Sequence, residues 1–191
     1  MLKKELIDKI RDVIKNPSDN WTHISNNNCY MYALRIDMDL DEFFSKKKNF
    51  MVGSFSDTVH NLGDRRQLER SLYADMDVLG INIDTIESDA YHISNYDLLE
   101  TLTENEWQIA LYRSAKPINL PSGILVYDYH LIRKDYNDRN WKHKTGMYAK
   151  PSKVKFKLFK EKKPININYY MRYNNEKIYY DYVGTYKVSV K

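Results

Sequence analysis

One cysteine and two histidines are the residues of this chain whose chemical types and order could support covalent chemistry. Cys29 is the single cysteine among 191 residues and lies in the segment NNNCYMYAL, and His130 and His143 follow far downstream in DYHLIRKDYNDRNWKHKTG. A thiol becomes a nucleophile near neutral pH when a neighbouring group lowers its pKa or accepts its proton, and an imidazole can do both. The sequence therefore predicts a cysteine nucleophile assisted by histidine.

The two histidines are expected on neighbouring strands of a hairpin. Strand-like runs cover residues 126–134 and 140–147, and the turn residues DYNDRN join them. If Ile132 lies opposite His143, then His130 is two residues along on the same face, and the two rings are diagonal neighbours about 7 Å apart by backbone position. A register slip of one residue would place the rings on opposite faces of the sheet.

In that register each of the three residues has an expected role. His130 is the general base for Cys29, and His143 bonds to the outer nitrogen of His130 and so fixes its tautomer. The backbone N–H of Cys29, at the start of a predicted helix, would face the developing oxyanion. Asp128 alternates with His130 along the strand, so its carboxylate faces either that ring or the solvent.

A second oxyanion donor is expected from the polar connection formed by residues 21–28. Asn26 and Asn27 are the candidate side chains there, and the sequence does not choose between them. Asn140 or Asp135 would replace the second histidine as the orienting group if the hairpin register differed. Otherwise both of these residues are expected to form the turn.

Helices are predicted in the first part of the chain and must bring the cysteine to the hairpin. The signals are apolar residues at three- and four-residue spacing, together with capping asparagines, glycine and proline. They predict an N-terminal helix that Asn16 and Pro17 end, a helix from Cys29 to about Ile36, a helix from Asp57 to Leu79 with a break near Gly63, and a short helix that Ser94 opens.

Strands are predicted in the second part of the chain. Runs rich in β-branched and aromatic residues are separated there by Pro, Gly, Asn and Asp. The runs are NEWQIALYRS, GILVYDYHLIRK, NWKHKTGMYA, KVKFKLF and VGTYKVSV. Helices followed by an antiparallel sheet predict an α+β fold.

The order of these groups resembles a known superfamily. A cysteine at a helix start, a histidine on a strand and a polar residue on the next strand are similar to the papain-like cysteine peptidases, and a histidine in third place resembles their NlpC/P60 branch. More closely, NNNCYMYAL, an ALY strand and DYH...W.HK.G resemble bacterial and phage papain-like proteins with an NCY-YAL box and a DYH-R-D...WSHKPG box. The resemblance runs from about Trp21 to Gly146, and Lys142 and Thr145 stand where that pattern usually has Ser and Pro.

The resemblance implies a papain-like, NlpC/P60-like fold with N-terminal helices packed on an antiparallel β-sheet. Residues 1–150, including the N-terminal helix, would form the hydrolase-like domain, and residues 151–191 would be a basic, tyrosine-rich β extension of it. The implied activity is hydrolysis or acyl transfer at a peptide, isopeptide or related amide bond through a cysteine acyl-enzyme, with no cofactor. Metal binding is not expected, because the remaining histidines lack ligand spacing.

Two other functions remain open at this level. One is a papain-like scaffold that has lost catalysis and serves as a phage or viral structural or cargo protein. The other is a nucleic-acid-binding module, because residues 151–191 carry 10 Lys and Arg against 3 Asp and Glu, with interleaved tyrosines. A polyanion or protein partner could bind this segment, but alternating lysines and apolar residues over 153–158 are also typical of a protected edge strand, which is the favoured interpretation.

No export signal or membrane span is predicted. Charges run through the N-terminal stretch, which therefore lacks the apolar centre of a signal peptide, and no window approaches the roughly 18 apolar residues of a span. A single cysteine cannot form an internal disulfide, so a reducing compartment is expected. We expect a cytoplasmic protein, or a virion protein if the Lys-, Asn-, Ile- and Tyr-rich composition reflects the AT-rich genome of a phage or virus.

Overall fold

A computed structural model describes residues 4–17, 21, 27–40, 50–58, 61–89, 91, 93–94, 102–120, 122–145, 149–154, 169–173 and 176–190. Over these residues, helices pack on one face of an antiparallel sheet. The α+β class predicted from the sequence is therefore confirmed.

The helices form where apolar residues recur at helical spacing and a capping side chain is present. They are α1 (Lys4–Lys15), α2 (Cys29–Ala33) and α3 (Arg65–Leu79). The side chain of Asp64 accepts from the first-turn N–H groups of α3, and Gly80 ends the helix in the left-handed conformation at φ 65°. Within the described stretches, no helix has the length and apolar character needed to cross a membrane.

The sheet places the C-terminal strand at its centre. Its strands, with those of a separate hairpin, are β1 (Ile81–Ser88), β2 (Ile93–Ser94), β3 (Glu106–Ser114), β4 (Ile118–Asn119), β5 (Leu125–Val126), β6 (Tyr129–Asp135), β7 (Lys142–His143), β8 (Ser152–Lys153), β9 (Tyr169–Tyr173) and β10 (Glu176–Val190). The order in the main sheet is β2-β1-β10-β3-β6-β7-β8, with β9 also paired to β10, and β4 pairs with β5. Because β10 bonds to both β1 and β3, it is an integral part of the fold.

Each face of the sheet is covered by its own core. The helix-side core combines apolar side chains of the three helices with residues such as Leu111 of β3 and Leu131 of β6. Successive strand residues point to opposite faces, so His130 and Ile132 point away from the helices. The far-side core consists of Ala110, Tyr112, Ile132, Trp141, Val154, Tyr180 and Tyr182.

A bulge in β10 allows this strand to supply both cores. Tyr180 and Tyr182 lie in the far-side core, whereas Tyr186 lies in the helix-side core although its number has the same parity. The register with β3 shifts between Tyr182 and Gly184, which reverses the alternation. Glycine is required there, because an added Cβ would lie 2.5 Å from the hydroxyl of Tyr186 and 2.8 Å from the carbonyl oxygen of Glu87.

The predicted start of the third helix is wrong. The sequence predicts a helix from Asp57, but this residue has φ 60° and α3 begins at Arg65. The N–H groups of Gly53 and Ser56 instead donate to the buried carboxylate of Asp75, at 2.7 and 2.6 Å. The helix therefore holds this loop in place and does not extend into it.

Several strand predictions also need correction. Of the run predicted over 140–147, the described residues 140–145 contain the two-residue strand β7, and GILVYDYHLIRK divides between β5 and β6. Ser94 pairs in β2, whereas the short helix predicted to follow it and most of KVKFKLF lie outside the described residues. Sequence reasoning missed β1, although INID, at its start, alternates apolar and polar residues.

The described part of the basic C-terminal segment is largely core. Tyr180, Tyr182 and Tyr186 are buried, and Lys187 forms an ion pair with Glu106 at 2.9 Å. Buried rings cannot stack on bases, so the structural interpretation accounts for these three tyrosines of β10, whereas Tyr179 is exposed. Residues 155–168, which hold many of the lysines of this segment, lie outside the described residues.

Candidate active site

An asparagine fixes the start of α2 at Cys29. The side-chain oxygen of Asn28 accepts from the N–H groups of Tyr30 at 3.0 Å and Met31 at 3.2 Å. Its amide nitrogen donates to the carbonyl of Phe50. The prediction that an asparagine of the NNN run caps this helix is confirmed.

The helix ends earlier than predicted because Arg35 adopts the left-handed conformation, with φ 61°. The N–H of Arg35 bonds to the carbonyl of Tyr32 at 3.2 Å, and the N–H of Ile36 bonds to that of Met31 at 3.0 Å, which is a Schellman arrangement. Glycine usually occupies this position, so the sequence does not indicate the stop. The resulting five-residue helix is too short to place a strong dipole at its cysteine.

Side chains of β3 and β6 satisfy the carbonyl groups at the end of α2. Arg133 donates to the carbonyl of Tyr32 at 2.7 Å, and the indole N–H of Trp107 donates to that of Ala33 at 3.0 Å. These bonds hold the helix of the cysteine on the strand of the first histidine.

An ion-pair network completes this attachment. The carboxylate of Asp135 lies 2.8 Å from Arg35 and 3.0 Å from Arg133. The two guanidinium groups also lie over aromatic rings, each 4.2 Å from the centroid, of Trp107 and Tyr32 respectively. Asp135, an alternative orienting group in the sequence analysis, thus serves to fix α2.

The two histidines lie together in the predicted register. Ile132 of β6 pairs with His143 of β7, and Nε2 of His130 lies 3.1 Å from Nδ1 of His143. One of these nitrogens donates and the other accepts, so the bond couples the tautomers of the two rings. The register is confirmed, and the roles of base and orienter remain predictions.

Cys29 lies beside the same strand, at the edge where β7 ends. The backbone N–H of Leu131, the residue that follows His130, favours the charged form of the Cys29 thiol. The described pairing of β6 with β7 ends at Ile132 and His143, and α2 contacts β6. The structure thus places the predicted nucleophile beside the backbone of the strand that carries the predicted base, although neither group is among the causes of the other's pKa shift.

The thiol and the imidazole approach this edge from different faces of the sheet. Cys29 packs against the helix-side core, to which Tyr129 and Leu131 belong. His130 points to the far side, where the centroid of its ring lies 6.4 Å from that of Tyr180. Any meeting of sulfur and imidazole therefore takes place around the open edge of β6.

Loss of hydration governs the charge states of both groups, although the Cys29 residue is half-buried whereas His130 is buried. This loss raises the pKa of the Cys29 thiol to about 12, because the N–H of Leu131 only partly opposes it and the Asp128 carboxylate adds to the rise. Burial, reinforced by His143, lowers the pKa of His130 to about 3. Near neutral pH the thiol and the imidazole are both uncharged.

Asp128 turns toward the protein and not toward solvent. The hydroxyl of Tyr180 and the backbone N–H of Tyr129 donate to its carboxylate. Burial raises the pKa of Asp128 despite these bonds. Its negative charge opposes ionisation of the Cys29 thiol.

Sequence reasoning missed Lys144. Its side chain is completely buried, and its ammonium donates to the backbone carbonyl of Asn27. Burial lowers its pKa to about 8, and the nearby Cys29 opposes that shift. The available signal was its place directly after His143, in the HK pair that the resembling box retains.

The predicted positioning asparagines have other surroundings. Asn27 is buried, and its amide donates to the carbonyl of Ile36 at 3.0 Å, which braces the two ends of α2. Asn140 is exposed in the turn before β7, and Asn26 lies outside the described residues. In the part of the chain that the structure describes, no three His, Cys, Asp or Glu side chains group as a metal site.

No model of a known protein family matches the chain, and neither a curated protein nor a solved structure is significantly similar to it. The functional interpretation therefore depends on the residues and their geometry.

Proposed function

We propose that this chain is a papain-like cysteine hydrolase or acyl transferase that acts on a peptide, isopeptide or related amide bond. The observation that carries the proposal is the 3.1 Å contact of His130 with His143, on the strand whose Leu131 N–H favours the charged form of the Cys29 thiol. A nucleophile, a base and an orienting group are the requirements of such chemistry.

The bond between the histidines suggests where the protons lie. When Nε2–H of His130 donates to Nδ1 of His143, Nδ1 of His130 carries a lone pair and can accept the thiol proton. The sulfur of Cys29 then attacks the amide carbonyl carbon, and the imidazolium returns the proton to the leaving amine. An acyl-thioester remains, which water or an acceptor amine resolves while His130 takes up the proton of the attacking group and the thiolate leaves.

The neutral resting state favours general-base catalysis over a pre-formed ion pair. The pKa values of about 12 for Cys29 and about 3 for His130 mean that neither is charged before reaction. Burial is the first cause of both shifts, so any opening of the β6 edge on substrate binding would bring the two values closer together.

The raised pKa of the thiol also supports one alternative, a papain-like scaffold without catalysis. A thiol that stays protonated and buried behaves as a small apolar side chain. Such a protein would serve a structural or cargo role, for example in a phage or virus. It predicts a thiol that reacts only when the protein unfolds.

Alkylation of the native protein by iodoacetamide distinguishes the two functions. For the hydrolase, Cys29 is modified in the folded protein near neutral pH, and His130→Gln slows the reaction about a hundredfold. The matched control is Asn140→Ala, an exposed position on the same hairpin, which is expected to keep the wild-type rate. Modification only in denaturant, or equal rates in wild type and His130→Gln, would contradict the hydrolase and favour the non-catalytic scaffold.

A further inference from the structure

Lys144 joins the histidine strand to the segment that leads into Cys29. It directly follows His143 at the end of β7, and 0% of the residue is exposed. Its ammonium donates to the carbonyl of Asn27, shortly before Cys29. One side chain therefore connects the two segments that carry the predicted nucleophile and the predicted orienting group.

A buried ammonium is a costly way to make a purely structural link. Lysine is almost never fully buried, because its charge loses hydration. An apolar side chain of similar length would fill the same volume without that loss. The position of this charge beside a thiol therefore calls for an electrostatic explanation.

The groups that face the thiol differ in the sign of their charge. Asp128 opposes the thiolate, whereas Lys144 interacts with Cys29 as a cation. The uncharged titratable groups around the site near neutral pH are Tyr30, Tyr129, His130 and His143. Among these titratable groups, Lys144 is therefore the cation.

We propose that Lys144 is a positioning residue of the Cys29 site: it keeps the segment before α2 on the edge of β6 and supplies positive charge beside the sulfur as the thiol loses its proton. Complete burial separates its ammonium from any substrate, so it acts through the cysteine. Its catalytic purpose rests on the proposed function, whereas its electrostatic effect on the thiol can be measured separately.

The rate of Cys29 alkylation by iodoacetamide in the folded protein near pH 7 tests this role. Lys144→Met is expected to slow the reaction about tenfold, which corresponds to one unit of thiol pKa. Asp128→Asn is expected to accelerate it. Lys142→Met is the matched control, because it removes the same charge from the same hairpin but its ammonium pairs with Asp138 at 2.7 Å.

A merely structural role of Lys144 predicts the opposite change in the alkylation rate of Cys29. Loss of the link would loosen the edge of β6 and expose the thiol, so Lys144→Met would then react faster than wild type. Faster reaction, or a rate equal to that of Lys142→Met in a folded protein, overturns the proposal.

A second measurement covers the case in which Lys144→Met does not fold. The Lys144 ammonium is titrated by NMR in Cys29→Asp, whose carboxylate stands in for the thiolate, and in the similarly sized but uncharged Cys29→Asn, and its pKa is expected to be higher in Cys29→Asp. Identical titrations in the two variants overturn the proposal. Failure here leaves the proposed function intact, because that function is tested by native alkylation of Cys29 and its response to His130→Gln.

Discussion

At the scale of single residues, the state of Cys29 is set by a competition between burial and hydrogen bonding. Backbone N–H groups, that of Leu131 first among them, favour the thiolate, but burial outweighs them and the pKa reaches about 12. A longer helix would have added its dipole, but α2 ends at Ala33. In the proposed function, activation of the thiol therefore depends on proton transfer to His130 during the reaction.

His143 provides a residue-scale prediction on the tautomer of His130. His143→Ala removes a ring that lies 3.1 Å from Nε2 of His130, so the imidazole loses the partner that couples its tautomer. We expect Cys29 alkylation to slow about tenfold, less than in His130→Gln. His143→Asn, which restores a polar side chain, is expected to recover part of the rate.

Imidazole nitrogen NMR spectra would measure this effect directly. Wild type is expected to show one tautomer of His130, and His143→Ala a mixture. A single unchanged tautomer together with an unchanged alkylation rate would show that His143 does not orient His130.

At the scale of elements, α2 is stabilised by its ends and not by its length. Isolated helices shorter than about 12 residues are marginal in water. Here Asn28 caps the start, and Arg133 and Trp107 bond to the last carbonyls. The segment that contains Cys29 and the strand that contains His130 therefore contact each other in the fold.

The cap provides an element-scale prediction on stability. Asn28→Ala leaves the N–H groups of Tyr30 and Met31 without their acceptor and is expected to lower the free energy of unfolding by about 1 kcal/mol. Asn28→Asp keeps an acceptor and is expected to lose less. Urea unfolding measures both.

Asn16→Ala serves as the control for this series, because Asn16 is an exposed residue at the end of α1. Its effect is expected to stay within about 0.5 kcal/mol. If Asn28→Ala costs no more than this control, the cap does not stabilise α2.

At the scale of the whole molecule, the last strand of the chain completes the centre of the sheet. β10 pairs with β1 on one side and β3 on the other, and β3 carries β6 and the candidate site. The bulge at Gly184 lets one strand fill both cores. Elements from α1 to the end of β10 at Val190 therefore pack together to hold the strands of the candidate site.

Buried histidines provide a prediction on the stability of the whole fold against pH. The pKa of His130 falls from 6.5 to about 3 on folding, and burial also lowers that of His143. Below about pH 6.5 the unfolded chain binds protons that the folded protein does not, so stability is lost on acidification. Each histidine contributes a slope of up to about 1.4 kcal/mol per pH unit.

Urea unfolding at a series of pH values between about 6.5 and 4 checks this linkage. His130→Gln is expected to show a shallower loss of stability than wild type over that interval. The comparison cancels the carboxylates common to both proteins, whose raised pKa values act in the opposite direction. Equal slopes would mean that His130 titrates normally in the folded protein.

Local signals predicted the α+β class, the cap at Asn28 and the pairing of Ile132 with His143, because each depends on a few neighbouring residues. Features that depend on distant contacts were not predictable in the same way. The left-handed Arg35 is fixed by Asp135 from another element, and Lys144 meets Asn27 only after folding. Long-range contacts therefore set both the length of α2 and the charge beside the thiol.

The most direct test of the central claim is the ratio of native Cys29 alkylation rates in wild type and His130→Gln near neutral pH, each normalised to the rate of the same protein unfolded in urea. If the imidazole takes the thiol proton, the normalised rate of wild type exceeds that of the variant about a hundredfold. A ratio near one would contradict the claim, because the thiol and the imidazole would then share a strand without acting together.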